Sequence, residues 1–292
     1  MSMKLQPVVS ILLFIASFLF SPRCWAQNTI TVPLTLPAGA KPLELVLIPH
    51  GKFLIGSPDS VIEAFVKETG IDGYRNEGPQ HWVTISKDFY IGKYEVTQAQ
   101  YQAVIGNNPA HDYEVGSDYP VYYVSWYDAV KFCNKLSRMR GLTPMYNESD
   151  WTANMNANGF RLPTEAEWEY TCRAGTTTPF YWGNDLDYAL IKDYTWYDGN
   201  NNPNGTKRVG LKKPNAWGLY DMSGNVWEWC QDQYGSYSSG AAADPIGPQF
   251  GSGHVERGGG RRSHPRVVRS ASRGNRGGSG YDLGFRIVAS RN

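Results

Sequence analysis

Cysteine is scarce in this chain of 292 residues: four stand at 24, 133, 172 and 230, with no Cys-x-x-Cys pair among them. That spacing excludes a disulfide-stapled scaffold and a zinc ribbon. Long apolar runs are scarce too. One lies in Val8–Phe20, behind Lys4 and ahead of Cys24-Trp25-Ala26, so residues 1–26 read as a secretory signal peptide cleaved before Gln27. Lipidation of Cys24 is the alternative, although Arg23 just before it argues against that. No later run approaches the ~18–20 residues of a spanning helix, so membrane contact is expected only through an N-terminal anchor. Removal of the signal leaves three cysteines and room for at most one intrachain disulfide.

Net charge is nearly absent as well. Without residues 1–26, 26 basic residues face 27 acidic ones, which excludes generic nucleic-acid binding. The balance hides an asymmetry. Residues 254–292 hold nine Arg, no Lys and only Glu256 and Asp282 as acids, a local charge of +7 against −8 for residues 27–253. The same end lacks whole residue types. From Arg257 to Asn292 there is no Lys, Glu, Gln, Met or Trp, although these five make up 49 of the 292 residues. At the frequency of the rest of the chain, about 7 would be expected there, and their joint absence has a chance of roughly one in two thousand. They are the five residues that a codon ending in C cannot specify.

Recognisable catalytic patterns are missing. The five histidines, at 50, 81, 111, 254 and 264, form no His-x-x-x-His pair, and there is no Gly-x-Ser-x-Gly, phosphate loop or dinucleotide fingerprint.

What is there is a chain rich in Gly (31), Pro (18) and aromatics, with no repeat and no linker to split it. One domain over 43–292 is expected, after an N-terminal segment 27–42. Leu43–Ile48, Trp82–Ser86 and Tyr90–Gly92 read as strands. Three helices announce themselves by capping boxes, in which a Thr or Ser is followed three residues on by a side chain able to reach back: Thr97/Gln100, Ser125/Asp128 and Thr164/Glu167. Beyond Gly183 the text turns to loops with short strands at Val226–Trp229 and Gly284–Val288. Early helices and strands followed by a loop-heavy half give an α+β class. The sequons Asn147-Glu148-Ser149 and Asn204-Gly205-Thr206 mark exposed loops.

Five segments, in order, carry a resemblance. They are Tyr94-Glu95-Val96-Thr97, Pro120-Val121 with Val124–Ala129, Arg161–Tyr170, Gly218–Trp229, and Arg257-Gly258-Gly259 with Leu283–Arg286. Together, across residues 43–290, they resemble the formylglycine-generating enzyme, or sulfatase-modifying factor, family. The resemblance implies an elaborated C-type lectin-like fold with few helices, short strands and many long loops. It says less about activity. Active members of that family oxidise a sulfatase cysteine with two copper-binding cysteines placed after the Gly-Gly-Ser segment. Counting forward from Gly258-Gly259 puts those positions at Ser263 and Val268; counting back from Arg269 and Arg273 puts them at Gly260 and Pro265. Cu(I) needs soft thiolates, so no copper and no oxidase activity are expected. The resemblance also implies a structural calcium held by carbonyls of Ser223, Gly224 and Val226 and by the Glu228 carboxylate, oxygen ligands that suit a hard cation. The alternative is that Trp227 and Trp229 are core and Glu228 pairs with a buried Arg. No other cofactor is expected.

Relatives of this fold include the variable proteins of diversity-generating retroelements, in which adenines of AAC codons are randomised in a C-terminal cassette. The missing residue types fit such a cassette within 257–288. Residues 260–268 and 274–282 would vary, while Arg257–Gly259, Arg269–Arg273 and Leu283–Arg286 would be fixed scaffold. On that reading Arg261, Arg262, Arg266 and Arg276 recognise anions and Val267, Val268 and Tyr281 give apolar contact. Ser263, His264, Asn275, Ser279 and Asp282 complete the surface. The expectation is an exported bacterial envelope protein, on the outer surface or in the periplasm, monomeric, non-catalytic and binding an unknown protein or surface ligand. The rival readings are a formylglycine-generating oxidase and a structural subunit of an envelope complex.

Overall fold

The computed structural model describes residues 29–275 and 278–291. The signal-peptide and Cys24 readings, and Arg276, lie outside the described residues. The chain opens with strands β1 (Thr29–Val32), β2 (Leu43–Ile48) and β3 (Gly51–Ile55), then helix α1 (Asp59–Thr69). Strands β4 (His81–Ile85) and β5 (Phe89–Gly92) precede helices α2 (Gln98–Ile105) and α3 (Trp126–Met139). Strand β6 (Phe160–Arg161), helix α4 (Glu165–Arg173) and the single turn α5 (Ile191–Tyr194) lead into the loop-rich half. That half holds β7 (Trp227–Gln233), β8 (Ala242–Ala243), β9 (His254–Arg257), β10 (Arg273–Gly274), β11 (Leu283–Gly284) and β12 (Val288–Ser290). The class is α+β, as the sequence implies.

All three capping boxes form. Thr97, Ser125 and Thr164 each accept from the backbone N–H three residues on, and the Gln100, Asp128 and Glu167 side chains accept from the cap N–H in return. Helix α1 has no such box. It starts after Pro58 without a side-chain cap and carries only Ile62 and Phe65 fully inward, which is why its sequence does not declare it.

The strands form sheets of five (β1-β2-β5-β12-β6), four (β10-β9-β7-β11) and three (β3-β4-β8). Strand β1 pairs with β2 from Thr29↔Val46 to Val32↔Leu43, so part of the 27–42 segment belongs to the central sheet. The alternation along β2 is buried on both faces. Leu43 and Leu45 join α2, α3, Phe285 and Trp229 in one core; Val46 and Ile48 join α4, Trp168 and Val288 in the other. Strand β12, near the C-terminus, lies between β5 and β6, antiparallel to both. This closure holds the last residues of the chain against its first strands, and everything between β9 and β12 must leave and re-enter a fixed sheet frame.

Candidate ligand-binding surface

The frame is built from charge. Arg257, Arg269, Arg273 and Arg286 are all buried, and each is matched by a buried carboxylate from a distant part of the chain. Arg286 grips Glu228 through Nε (2.6 Å) and Nη2 (2.7 Å). Arg273 grips Glu165 through Nε (2.7 Å) and Nη2 (2.6 Å). Arg269 takes Glu77, with 2.7 Å from Nη1 to Oε2, and lies 4.5 Å over the Phe65 ring. Arg257 pairs with Glu169 and donates to the carbonyls of Ser270 (3.1 Å) and Ser272 (2.7 Å). Planar guanidinium forks suit such bidentate burial. These four lie in the segments expected to be scaffold, and the structure buries and pairs all of them. The basic C-terminal segment is therefore not a basic surface patch: much of its +7 is neutralised inside the protein.

The intervening loops reach the surface unevenly. Arg262 and His264 are exposed, and Ser263, Val267, Asn275 and Tyr281 are half-buried, with Ser279 exposed. Arg262 lies 5.6 Å over the Tyr281 ring. His264 caps the short turn Pro265–Val267 and stands edge-on to Tyr188 at 6.4 Å. Arg266 is half-buried and ion-paired with Glu68 of α1, and Asn275 donates to Ser252 at 2.8 Å.

Three of the expected contact residues turn inward. Val268 is fully buried with Phe180 and Ile191, because it ends the turn that carries the chain back into the frame. Asp282 is buried beside Gly260, where a Cβ would meet its Oδ2 at 2.8 Å. Arg261 is fully buried: its guanidinium lies 4.2 Å from the Tyr113 ring centroid and 5.2 Å from that of Tyr281, and Nη1 donates to the Tyr281 carbonyl at 2.7 Å. Burial lowers its pKa. Held against two phenol rings and bonded to a backbone carbonyl, it supports the loop rather than serving as a free anion hook.

The fold brings up a group that the sequence reading did not include. The loop before α3 places Tyr113 5.8 Å from Tyr281, and stacks His111 on Tyr123 at 4.6 Å. The Tyr123 N–H donates to the Gly280 carbonyl at 3.0 Å, tying this loop to the C-terminal one. The Tyr123 phenol donates to Asp112 (2.7 Å) and that bond pushes its pKa up to about 12. The only sequence signal was the density of tyrosines at 113, 119, 122 and 123. The resulting surface is an aromatic shelf of Tyr113, Tyr123 and Tyr281 with Arg262 beside it.

The calcium reading meets a different arrangement. Both Glu228 oxygens are occupied, by Arg286 and by the Trp168 indole N–H at 2.8 Å, and the Ser223 carbonyl accepts from Thr195 at 2.5 Å. Glu228 is the counter-ion of a buried arginine, so its carboxylate does not fit a calcium ligand there. No cluster of acidic, His or Cys side chains among the described residues could hold a metal ion. The three cysteines are buried and apart, in α3, α4 and β7; burial pushes the Cys172 thiol up to about 12 and raises those of Cys133 and Cys230.

Short strands closed by β12, long loops and a charge-paired interior define an elaborated C-type lectin-like domain with exposed side chains on its loops. The chain belongs to the sulfatase-modifying factor enzyme 1-like domain family, whose model matches residues 34–291. It is similar to the chaperone protein LppX of Paenibacillus barcinonensis, 38% identical over 72% of this chain and 82% of that one. It is also similar to the formylglycine-generating enzyme of Bos taurus, 29% identical over 88% of this chain and 78% of that one. Among solved structures, Treponema denticola variable protein 1 superposes with a TM-score of 0.76 at 32% identity, covering 90% of this chain and 99% of that one.

Proposed function

We propose that this chain is a non-catalytic binding protein of the cell envelope, and that its ligand meets the shelf formed by Tyr113, Tyr123 and Tyr281 with Arg262, Ser263, His264, Val267 and Ser279. The observation that carries this reading is the division of labour within 257–288. Four arginines are locked in buried ion pairs, while the loops between them place chemically varied side chains at the surface. A rigid frame with loop-borne contacts is how binding sites tolerate substitution. The missing residue types add that the loops are diversified by a retroelement, and the likeness to a variable protein is consistent with this. Buried Arg261, Val268 and Asp282 would then change the loop's shape rather than touch the ligand.

The oxidase reading lacks its copper-binding cysteine pair. The last cysteine is Cys230, in the middle of β7 with its thiol buried, and a thiol that stays protonated is neither a ligand for Cu(I) nor a nucleophile.

Sequencing this locus in sibling isolates tests diversification: substitutions should gather at 262–264, 267, 275, 279 and 281, with codons ending in C. Changes scattered over the scaffold, or none at all, would refute it. Formylglycine production from a sulfatase-motif peptide with copper and oxygen would refute the non-catalytic reading.

A further inference from the structure

Exposed positive charge also gathers away from the arginine-rich end. Lys212 donates from Nζ to the Lys192 carbonyl of α5, and the backbone N–H of Lys213 donates to that of Asp193 at 3.0 Å, so loop 207–214 is stapled to that helical turn. Between them is a shallow depression of about 540 Å³ lined by Lys192, Asp193, Leu211, Lys212, Lys213 and Tyr220. The cationic face continues past Tyr220. Its ring lies 5.1 Å from that of Tyr94, over which Lys41 and Lys93 hold their ammonium groups at 5.0 and 5.4 Å.

The acids on this face do not cancel it. Asp193 pairs with Lys213 (2.9 Å), Glu44 with Lys93 (3.2 Å), and Asp118 accepts from the Lys41 backbone N–H (2.8 Å), leaving Lys192 and Lys212 in excess. Asp221, below, is buried and accepts from the Gly210 N–H at 2.6 Å. Leu211 stands among these lysines, and Leu190 precedes α5 in the chain. Leu211 is 60% exposed and Leu190 is 50% exposed.

We propose that this face, centred on Lys192, Lys212 and Lys213 with Leu190 and Leu211, docks on the surface of an anionic phospholipid bilayer. The lysines match headgroup phosphates in charge, and the depression is large enough to seat one. The exposed leucines decide between lipid and soluble polyanion. An anionic polymer offers them nothing, whereas the acyl boundary of a leaflet removes their apolar surface from water. Adjacent lysines can lay their stems along that boundary with the ammonium groups in the headgroups. This contact is separate from the C-terminal shelf and does not depend on what that shelf binds.

Flotation of the purified full chain with vesicles tests it, using phosphatidylcholine alone against phosphatidylcholine with a minority of phosphatidylglycerol. The protein should float with the anionic vesicles only, and less as salt screens the charges. Lys192→Glu with Lys213→Glu should weaken partitioning about tenfold or more, and Leu190→Ser with Leu211→Ser should weaken it several-fold. Lys52→Glu with Lys67→Glu, exposed lysines on β3 and α1, controls for net charge and should float as the parent does. Equal flotation with neutral vesicles, no flotation with anionic ones, or unchanged flotation of the first two variants would overturn the proposal. So would retention on dextran sulfate with the leucine pair irrelevant to vesicle binding, which would make the face a general anion site.

Discussion

Asp221 is buried and His254 half-buried, and their titrations oppose each other over one pH range. Burial lifts Asp221 from an ordinary 3.8 to about 6, so the folded form keeps a proton that the unfolded chain has lost. Its contribution to stability is complete below about pH 3.8 and is lost as pH rises through about 6. His254 lies face to face with Trp126 at 3.8 Å, and burial lowers its pKa from 6.5 to about 4. The unfolded chain gains a proton there that the folded one refuses, so stability falls as pH drops from about 6.5 toward 4. Asp221→Asn keeps an acceptor for Gly210 while removing the first titration. Its Tm should therefore climb more steeply than the parent's between pH 4 and 6.5; parallel profiles in a thermal scan would contradict the assignment. Neither shift was legible in the sequence, where Asp221 stands between Tyr220 and Met222 and His254 is one of five scattered histidines.

At the scale of elements, the helices with capping boxes were legible because the cap and its partner are three residues apart. The ion pairs of the frame were not, because their partners are remote: Arg286 and Glu228 are 58 residues apart, Arg257 and Glu169 88, Arg269 and Glu77 192. Sequence marks these arginines as charge, and only the fold marks them as interior. The two classes of arginine should separate in denaturant melts. Arg286→Ala strands the Glu228 carboxylate in the core and should cost about 3–5 kcal/mol. Arg262→Ala removes an exposed side chain and should change stability by less than about 0.5 kcal/mol. Similar losses for both would mean that the frame and the tips are not distinct.

For the whole molecule, the absence of fit at Glu228 predicts that a chelator leaves Tm unchanged, since a ligand bound only to the native state would raise it; a drop of several degrees with EDTA would show a bound cation after all. The order of motifs determined the α+β class, the family and the lack of copper thiolates, because these depend on residue identity and short spacing. The missing residue types singled out the last 36 residues, since composition survives without any knowledge of contacts. Tertiary structure decided which of those residues face outward. It buried Arg261, Val268 and Asp282, placed Tyr113 and Tyr123 beside the C-terminal loop, and gathered Lys192 and Lys212 on a second surface. The physical reason is that burial and pairing are set by groups that meet only when β12 closes between β5 and β6, and no local pattern records those meetings.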